Sequence, residues 1–314
     1  LGASTLLLAD PRLKPDYVLG PKNRDEVRQL TPGIAYSMAW KDHATLDISV
    51  ARTSYRKQVD FADPAATDLR SRDNPMLWSV AGSWDVTRGL TAYAGVAHGQ
   101  EEALIAPDVA SNRSESPPAI HTRQVEAGLR LAVTPKLAVV AGLFSITKPY
   151  FNLDPALRYR QLGTLNNRGL ELSITGELAP GLNLVGGTML LDPRIRGEAV
   201  DAGLIGLRPV GQIRRRSVAN LDWRPQAGTS PLSFDLAVES LSSRMANAAN
   251  SFSAPPRTTV NLGARYRFTL GKTRLLLRPL VQNLFDAYGW NVSSSGGFTY
   301  IPGRAANVQL IADF

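Results

Sequence analysis

The sequence predicts an all-β protein, an antiparallel transmembrane β-barrel. Three observations carry that prediction. Apolar and polar residues alternate with a period of two through most of the chain. The connections between the alternating stretches are short and long in strict succession. No run approaches the roughly 18 consecutive apolar residues of a membrane-spanning helix, although hydrophobic residues make up 44% of the 314.

The alternation marks about fourteen strands, at residues 1–9, 30–40, 45–54, 76–85, 90–98, 121–132, 137–147, 163–176, 182–191, 213–223, 232–240, 257–269, 274–284 and 304–314. In the third, Leu46, Ile48 and Val50 share a face. Leu170, Leu172 and Ile174 oppose Glu171, Ser173 and Thr175, and Leu232, Phe234, Leu236 and Val238 oppose Ser233, Asp235 and Glu239. Val260, Leu262, Ala264, Tyr266 and Phe268 oppose Asn261, Gly263, Arg265 and Arg267. Arginine on the second face means that this face meets water. In the last stretch Ala306, Val308, Leu310, Ala312 and Phe314 stand against Asn307, Gln309 and Asp313, with Ile311 on the polar side. A two-faced strand ending on an aromatic residue closes an outer-membrane barrel, and equally fits the edge of a soluble sheet.

The connections decide between these. Short turns fall at 41–44, 86–89, 133–136, 177–181, 224–231 and 270–273. Long polar loops fall at 10–29, 55–75, 99–120, 148–162, 192–212, 241–256 and 286–303. Antiparallel strands joined in this order carry every short turn at one end and every long loop at the other. That is the asymmetry of periplasmic turns and extracellular loops in a transmembrane barrel. With Phe314 at the periplasmic end, the loop 286–303 is extracellular.

Composition narrows the function. There is no cysteine, so disulfides, thiolate metal sites and cysteine nucleophiles are excluded. The net charge is +8, but the basic residues are spread along the chain and not gathered on a helix, which speaks against nucleic acid as a partner. His43, His98 and His121 are far apart in sequence and form no HExxH pattern, so no resident metal or cofactor is expected. Ser293 to Ser295 with Gly296 and Gly297 lack the lysine and following helix of a phosphate loop. No nucleophile or acid pair suggests an enzyme. The apolar run Leu6-Leu7-Leu8-Ala9 has no basic flank and makes a poor signal peptide. A chain starting on Leu1 reads as a cut mature protein or a piece of a longer one.

The tail Asn283-Leu284-Phe285-Asp286 with Tyr288, then Gly296 and Gly297, then Pro302-Gly303-Arg304 and a strand to Phe314, resembles the C-terminus of TonB-dependent outer-membrane receptors. Gln124-Val125-Glu126-Ala127-Gly128 resembles that family's Q-x-E-x-G strand, and Leu143 to Lys148 its F-x-I strand end. Arg168-Gly169-Leu170-Glu171, followed by Pro180-Gly181 and Gly186-Gly187, resembles its R-G-x-E hairpin. The style is that of ferric-siderophore receptors. The resemblance implies a barrel of about 22 strands whose lumen holds an N-terminal plug, preceded by a TonB box. This sequence offers neither plug nor TonB box and about eight strands too few. It reads as one domain over residues 1–314, a C-terminal barrel portion. A partial barrel has two unpaired edges, which lipid does not tolerate, so either the edges pair with each other or the chain does not act alone.

The implied function is uptake of a ferric siderophore, with no bond made or broken in the cargo. Cobalamin, a sugar or another chelate are the alternative cargoes, and a plug-less passive pore is the alternative mechanism. The implied partners are the chelate, the TonB complex through a plug, outer-membrane lipid and lipopolysaccharide, and the barrel-assembly machinery through the Phe314 strand. Candidate ligand contacts are Tyr150, Phe151, Arg158, Tyr159, Arg214, Arg215, Arg216, Trp290 and Tyr300. The three adjacent arginines suit an anionic chelate, or else a solvated loop end or lipid phosphates, because three consecutive strand residues cannot all face the lumen. Trp290 and Tyr300 also suit an interfacial aromatic girdle. Arg265 and Arg267 are expected in the lumen, paired with carboxylates such as Asp235 and Glu239. Arg168 and Glu171 are read as barrel structure.

Overall fold

A computed structural model describes residues 20, 22–41, 43–62, 68–294 and 296–313. Twenty strands occupy them. From the start of the described chain come β1 (Arg24–Leu30), β2 (Gly33–Trp40), β3 (Ala44–Arg52), β4 (Ser54–Asp60), β5 (Leu69–Asp73), β6 (Met76–Thr87) and β7 (Leu90–Glu101). The middle holds β8 (Ile120–Thr134), β9 (Leu137–Leu153), β10 (Tyr159–Ala179), β11 (Leu182–Arg196), β12 (Arg215–Trp223) and β13 (Leu232–Leu241). Then follow β14 (Arg244–Met245), β15 (Ser253–Ala254), β16 (Arg257–Leu270), β17 (Thr273–Gln282), β18 (Trp290–Val292), β19 (Phe298–Tyr300) and β20 (Ala305–Asp313). The predicted strand at residues 1–9 and the terminal Phe314 lie outside the described residues.

Thirteen strands form one sheet in the order β2-β3-β6-β7-β8-β9-β10-β11-β12-β13-β16-β17-β20, each antiparallel to its neighbour. The thirteen other predicted strands are these. Among the described residues no helix is long and apolar enough to cross a membrane; the apolar surface is on the strands. Register sorts their side chains onto two faces. Ile34, Ile48, Val80, Val96, Val125, Leu143, Leu170, Leu190, Leu262, Leu277 and Leu310 lie on one, together with Leu129, Leu172, Val238 and Val308. Many are strongly exposed, Ile34 at 81% and Val308 at 67%, which suits contact with lipid and not with water. Ser37, Asp47, Ser83, Glu126, Glu171, Asp222, Asp235, Arg265, Gln309 and Asn307 lie on the other face. Toward the short-turn end the apolar face carries Trp40, Trp84, Trp223, Phe234, Tyr266 and Phe268, an aromatic row of the kind found at a membrane interface.

The loops differ from expectation in an informative way. Part of 10–29 and most of 55–75, read as loop, are strand: β1, β4 and β5. These three form their own small sheet, order β1-β4-β5. It continues the large one. Leu30 pairs with Ser54 and Gly33 with Ala51, the same register resumed after a break at Thr31-Pro32. Tyr55 pairs with Asp73 and Arg52 with Met76, again resumed across Asn74-Pro75. Proline has no N–H to give the ladder, so the strands are interrupted there and bridged by bonds from Arg52 N to Pro32 O (3.0 Å) and Thr53 N to Pro75 O (3.0 Å). The loop expected at 148–162 contracts to the turn 154–158, because β9 and β10 run on for 17 and 21 residues. At about 3.3 Å per residue, β10 spans about 70 Å, far more than an apolar band about 25 Å tall. Its upper part stands clear of any membrane.

Two motif glycines have a packing reason. A Cβ on Gly128 would meet the ring and hydroxyl of Tyr93, which lies across it from β7. One on Gly169 would enter the ring of Phe144 on β9. In each case an aromatic ring of the polar face lies against a neighbouring strand where only hydrogen leaves room.

Candidate functional site

At the long-loop end the prolonged strands and the loops enclose a cavity of about 710 Å³. One wall is the end of β9, from Lys148 to Asn152, with Tyr159 opening β10. A second is the segment after β7, including Glu102, Leu104, Ile105 and Pro107. Pro209, Val210, Gly211 and Gln212, with Val292 and Ser294, complete it. The aromatic residues nominated from sequence at 150, 151 and 159 thus line one space. Phe151 and Tyr159 have ring centroids 6.2 Å apart.

Tyr150 anchors the wall. It is 8% exposed and belongs to a cluster with Leu162, Leu165, Ile195, Ala199 and Ile205. Asn152 Nδ2 donates to its hydroxyl oxygen (2.7 Å) and to the carbonyl of Ser294 (2.9 Å), tying β9 to the last long loop. Burial pushes the Tyr150 phenol above its ordinary pKa, against the opposing hydrogen bonds from Asn152 and the Val210 backbone. Burial does the same at Tyr159, reinforced by Tyr150. Both phenols are therefore neutral donors at neutral pH.

The charges on the lining are matched. Lys148 Nζ donates to Glu101 (2.6 Å), and Lys57 Nζ to Glu102 (2.7 Å). The Lys57 side chain is 2% exposed and also lies 3.3 Å from Asp25. Burial alone would lower the Lys57 pKa, but the bond to Glu102 and the charge of Asp25 outweigh it, so the ammonium sits above its ordinary range. Nothing in the sequence signalled Lys57: it is one cation in a polar stretch. Asn152 was within reach, being two residues from Tyr150 on the same strand face.

The other nominated residues lie elsewhere. Arg158 is exposed in the turn after β9, its N–H donating to Asp154 (2.9 Å). Arg214 precedes β12, Arg215 points to the apolar face and bonds the hydroxyls of Ser217 and Ser240 (3.1 Å each), and Arg216 points to the polar face and pairs with Glu239 (2.9 Å). Trp290 and Tyr300 oppose each other in the hairpin β18–β19, outside the thirteen-stranded ladder, with ring centroids 5.7 Å apart. Tyr288, Phe298 and Phe252 extend them into an exposed aromatic patch. His98 and His121, distant in sequence, come together by the pairing of β7 and β8, with ring centroids 5.8 Å apart, and His121 meets Asp73 at 2.5 Å.

Below the cavity the polar face is charge-paired. Arg265 bonds Asp222 and lies 3.1 Å from Asp235, and Arg267 donates to Ser233 (3.4 Å). A smaller hollow of about 350 Å³ is lined by Tyr93, Gln124, Glu126, Phe144, Glu171 and Met189, among others. This hollow lies on the polar side of the sheet.

The sequence profile of the family "TonB dependent receptor-like, beta-barrel" matches residues 15–292. The chain belongs to the TonB-dependent receptor family. This barrel is 30% identical over 206 residues to the ferrichrome receptor FcuA of Yersinia enterocolitica, covering 65% of this chain and 27% of FcuA. Its fold matches BauA, the ferric preacinetobactin receptor of Acinetobacter baumannii, with a TM-score of 0.77 at 23% identity, over 97% of this chain and 46% of BauA. It matches the siderophore receptor PiuA of Acinetobacter baumannii with a TM-score of 0.74 at 15% identity, over 93% of this chain and 44% of PiuA. The chain thus spans less than half the length of these relatives. The polar face of this TonB-dependent receptor barrel is its luminal face; at the long-loop end Tyr150 and Asn152 lie on that face of β9, while Phe151 and Tyr159 line the cavity from the other face of β9 and β10.

Proposed function

We propose that the chain is the barrel portion of an outer-membrane receptor that takes up a ferric siderophore, and that the cavity walled by Tyr150, Phe151 and Tyr159 receives the cargo. The observation that carries this reading is the cavity itself. It lies among the long loops, its polar groups are fixed by Asn152 and the paired charges, and its phenols are neutral donors. A rigid aromatic wall with few fixed donors suits a large chelate with an apolar periphery. The names of FcuA and BauA, a ferrichrome and a ferric preacinetobactin receptor, agree with such cargo. Arg158, Arg214, Arg216, Trp290 and Tyr300 surround the mouth as outer contacts on this reading.

The partners follow from the faces. The apolar band meets outer-membrane lipid. Arg123 and Arg168, on that same face above Val125 and Leu170, would meet lipopolysaccharide phosphates on this reading. The TonB complex would act through a plug in the lumen, and the assembly machinery through the terminal strand.

The test is uptake of labelled ferric siderophores by a strain lacking the gene, complemented with the full-length gene or with Tyr150→Ala in it. The wild-type gene restores uptake of at least one chelate, and Tyr150→Ala weakens it by about tenfold or more. Uptake unchanged by deletion across hydroxamate, catecholate and carboxylate chelates would refute the reading.

A further inference from the structure

At the long-loop end of the polar face two arginines meet one carboxylate, and a third lies near them. Glu239 Oε1 accepts from Nε (3.0 Å) and pairs with Nη2 (2.9 Å) of Arg216, and Oε2 lies 3.9 Å from Nη2 of Arg257. Glu239 is therefore committed mainly to Arg216. The Arg257 side chain is 9% exposed, and its Nε and Nη1 are buried without a hydrogen-bond partner among the described residues. Arg244, on the short β14, is 8% exposed, and its Nε is likewise buried and unpartnered. Burial, and then the charge of Arg257, lower the proton affinity of Arg244, while Glu239 opposes them weakly.

A guanidinium keeps its proton when buried, so the two charges persist and call for an anion. The place of the pair is defined. Arg257 pairs with Leu241 on the polar face, and its side chain runs beside Gly289 and Ile301 of the last long loop. Arg244 precedes Met245, whose carbonyl accepts from the Gly211 N–H (2.8 Å), and Gly211 lines the large cavity. Val210, Ala246, Ala254 and Val292 form one buried cluster beside Arg244, and Val210 and Val292 also line the large cavity.

We propose that Arg244 and Arg257 form a second binding site in the mouth of the barrel, for a carboxylate-class anion, behind the aromatic cavity. A planar anion with two oxygens gives each guanidinium a charge-assisted hydrogen bond and leaves Glu239 to Arg216. The carboxylate comes either from the cargo, which rests on the uptake function proposed above, or from an acidic side chain elsewhere in the receptor, which does not.

The experiment uses the receptor purified in detergent from its full-length gene, as wild type and as Arg244→Met, which keeps an apolar stem in place. Thermal unfolding is followed against acetate concentration at fixed ionic strength, and against pH. Binding of a ferric chelate bearing a free carboxylate is compared with that of its amidated twin. The expected result is a saturable rise of the wild-type Tm with acetate, weakened about tenfold in Arg244→Met. A preference for the carboxylate chelate that the variant loses assigns the anion to the cargo; the acetate response without that preference leaves the site open to other carboxylates. An internal acid gives no acetate response, but Arg244→Met then lowers Tm at neutral pH and the loss disappears on acidification, as the stranded carboxylate takes up a proton. The proposal is overturned if neither the acetate response nor the acid-reversible loss occurs. A variant more stable than wild type at every pH is the clearest such result, because it shows only repulsion relieved. Failure of both chelates to bind, with the acetate response intact, sinks the uptake reading and spares this one.

Discussion

Replacing Arg265 by glutamine tests whether the polar face is a charge-paired interior. Arg265 holds two carboxylates at once, bonding Asp222 and lying 3.1 Å from Asp235. The two aspartates face each other directly across β12 and β13, which sets their Cβ atoms about 5 Å apart. Like charges at that distance repel by about 3 kcal/mol at an effective dielectric of ~20, and by under about 1 kcal/mol in bulk water. The three side chains are 27%, 43% and 40% exposed, so solvent screens the pair and the lower part of that range applies. Arg265→Gln is therefore expected to destabilise the barrel by about 1–2 kcal/mol. Adding Asp235→Asn removes the repulsion that the first change exposes. The double variant should then lose less than the sum of the single ones, with a coupling of about 1 kcal/mol. Urea unfolding of the wild type, both single variants and the double, read from the folded and unfolded electrophoretic bands, completes the cycle. Losses that add to within about 0.3 kcal/mol would refute the reasoning, for they would mean that Arg265 and Asp235 are not coupled.

Leu172→Arg places a cation on the apolar face of β10, among Leu170 and Ile174, and should cost about 2–4 kcal/mol in a bilayer near the midplane; a cost below about 0.5 kcal/mol in lipid vesicles would contradict the assignment of that face. Gly169→Val drives a side chain into the Phe144 ring and the Leu190 carbonyl and should cost about 1–3 kcal/mol. Phe144→Ala in the same background should recover part of that loss in the unfolding midpoint, and no recovery would mean that the ring is not the obstacle. Asp154, in the turn between β9 and β10, is held below the usual carboxylate range by the Arg160 side chain and then by the Arg158 N–H, with a smaller contribution from Ala156. Because the folded value is the lower one, its stabilisation is present above the ordinary carboxylate range and is lost as pH falls through the lowered value. A carboxyl-carbon NMR titration should show the depressed pKa, and Arg160→Gln should raise it toward the ordinary one; an unchanged titration would show that the Arg160 bond does not form.

What the sequence reveals is set by which solvent each strand segment meets. Where one side of a strand faces lipid and the other a wet lumen, every second residue must be apolar, as in Leu170, Leu172 and Ile174 against Glu171, Ser173 and Thr175. Such segments were legible, and so were the short turns that join them. Above the band both sides meet water or loops, and that demand lapses. β1, β4 and β5 are strands held by ladder bonds while carrying charges on both faces, as in Ser54–Asp60, where Arg56, Lys57 and Asp60 share a strand with Tyr55 and Val59. They looked like loop for that reason. The same lapse hid the extension of β9 and β10 past Thr147 and before Gly163, and it is there that the cavity is built. Tyr150, Phe151 and Tyr159, which line it, still stood out in the sequence, because bulky aromatic residues in a polar stretch stand out without any periodicity. Lys57, Glu102 and Asn152 did not, because a buried ion pair or amide is spelled with the same letters as a solvated one, and only the pairing of distant strands tells them apart. The consequence reaches Arg215 and Arg216. Adjacent in sequence and identical in type, they are sent by the pleat to opposite faces, one to serine hydroxyls beside the lipid and one to Glu239 in the lumen. Alternation could forbid three arginines from acting as one patch, but only the register could say which of them shares Glu239 with Arg257.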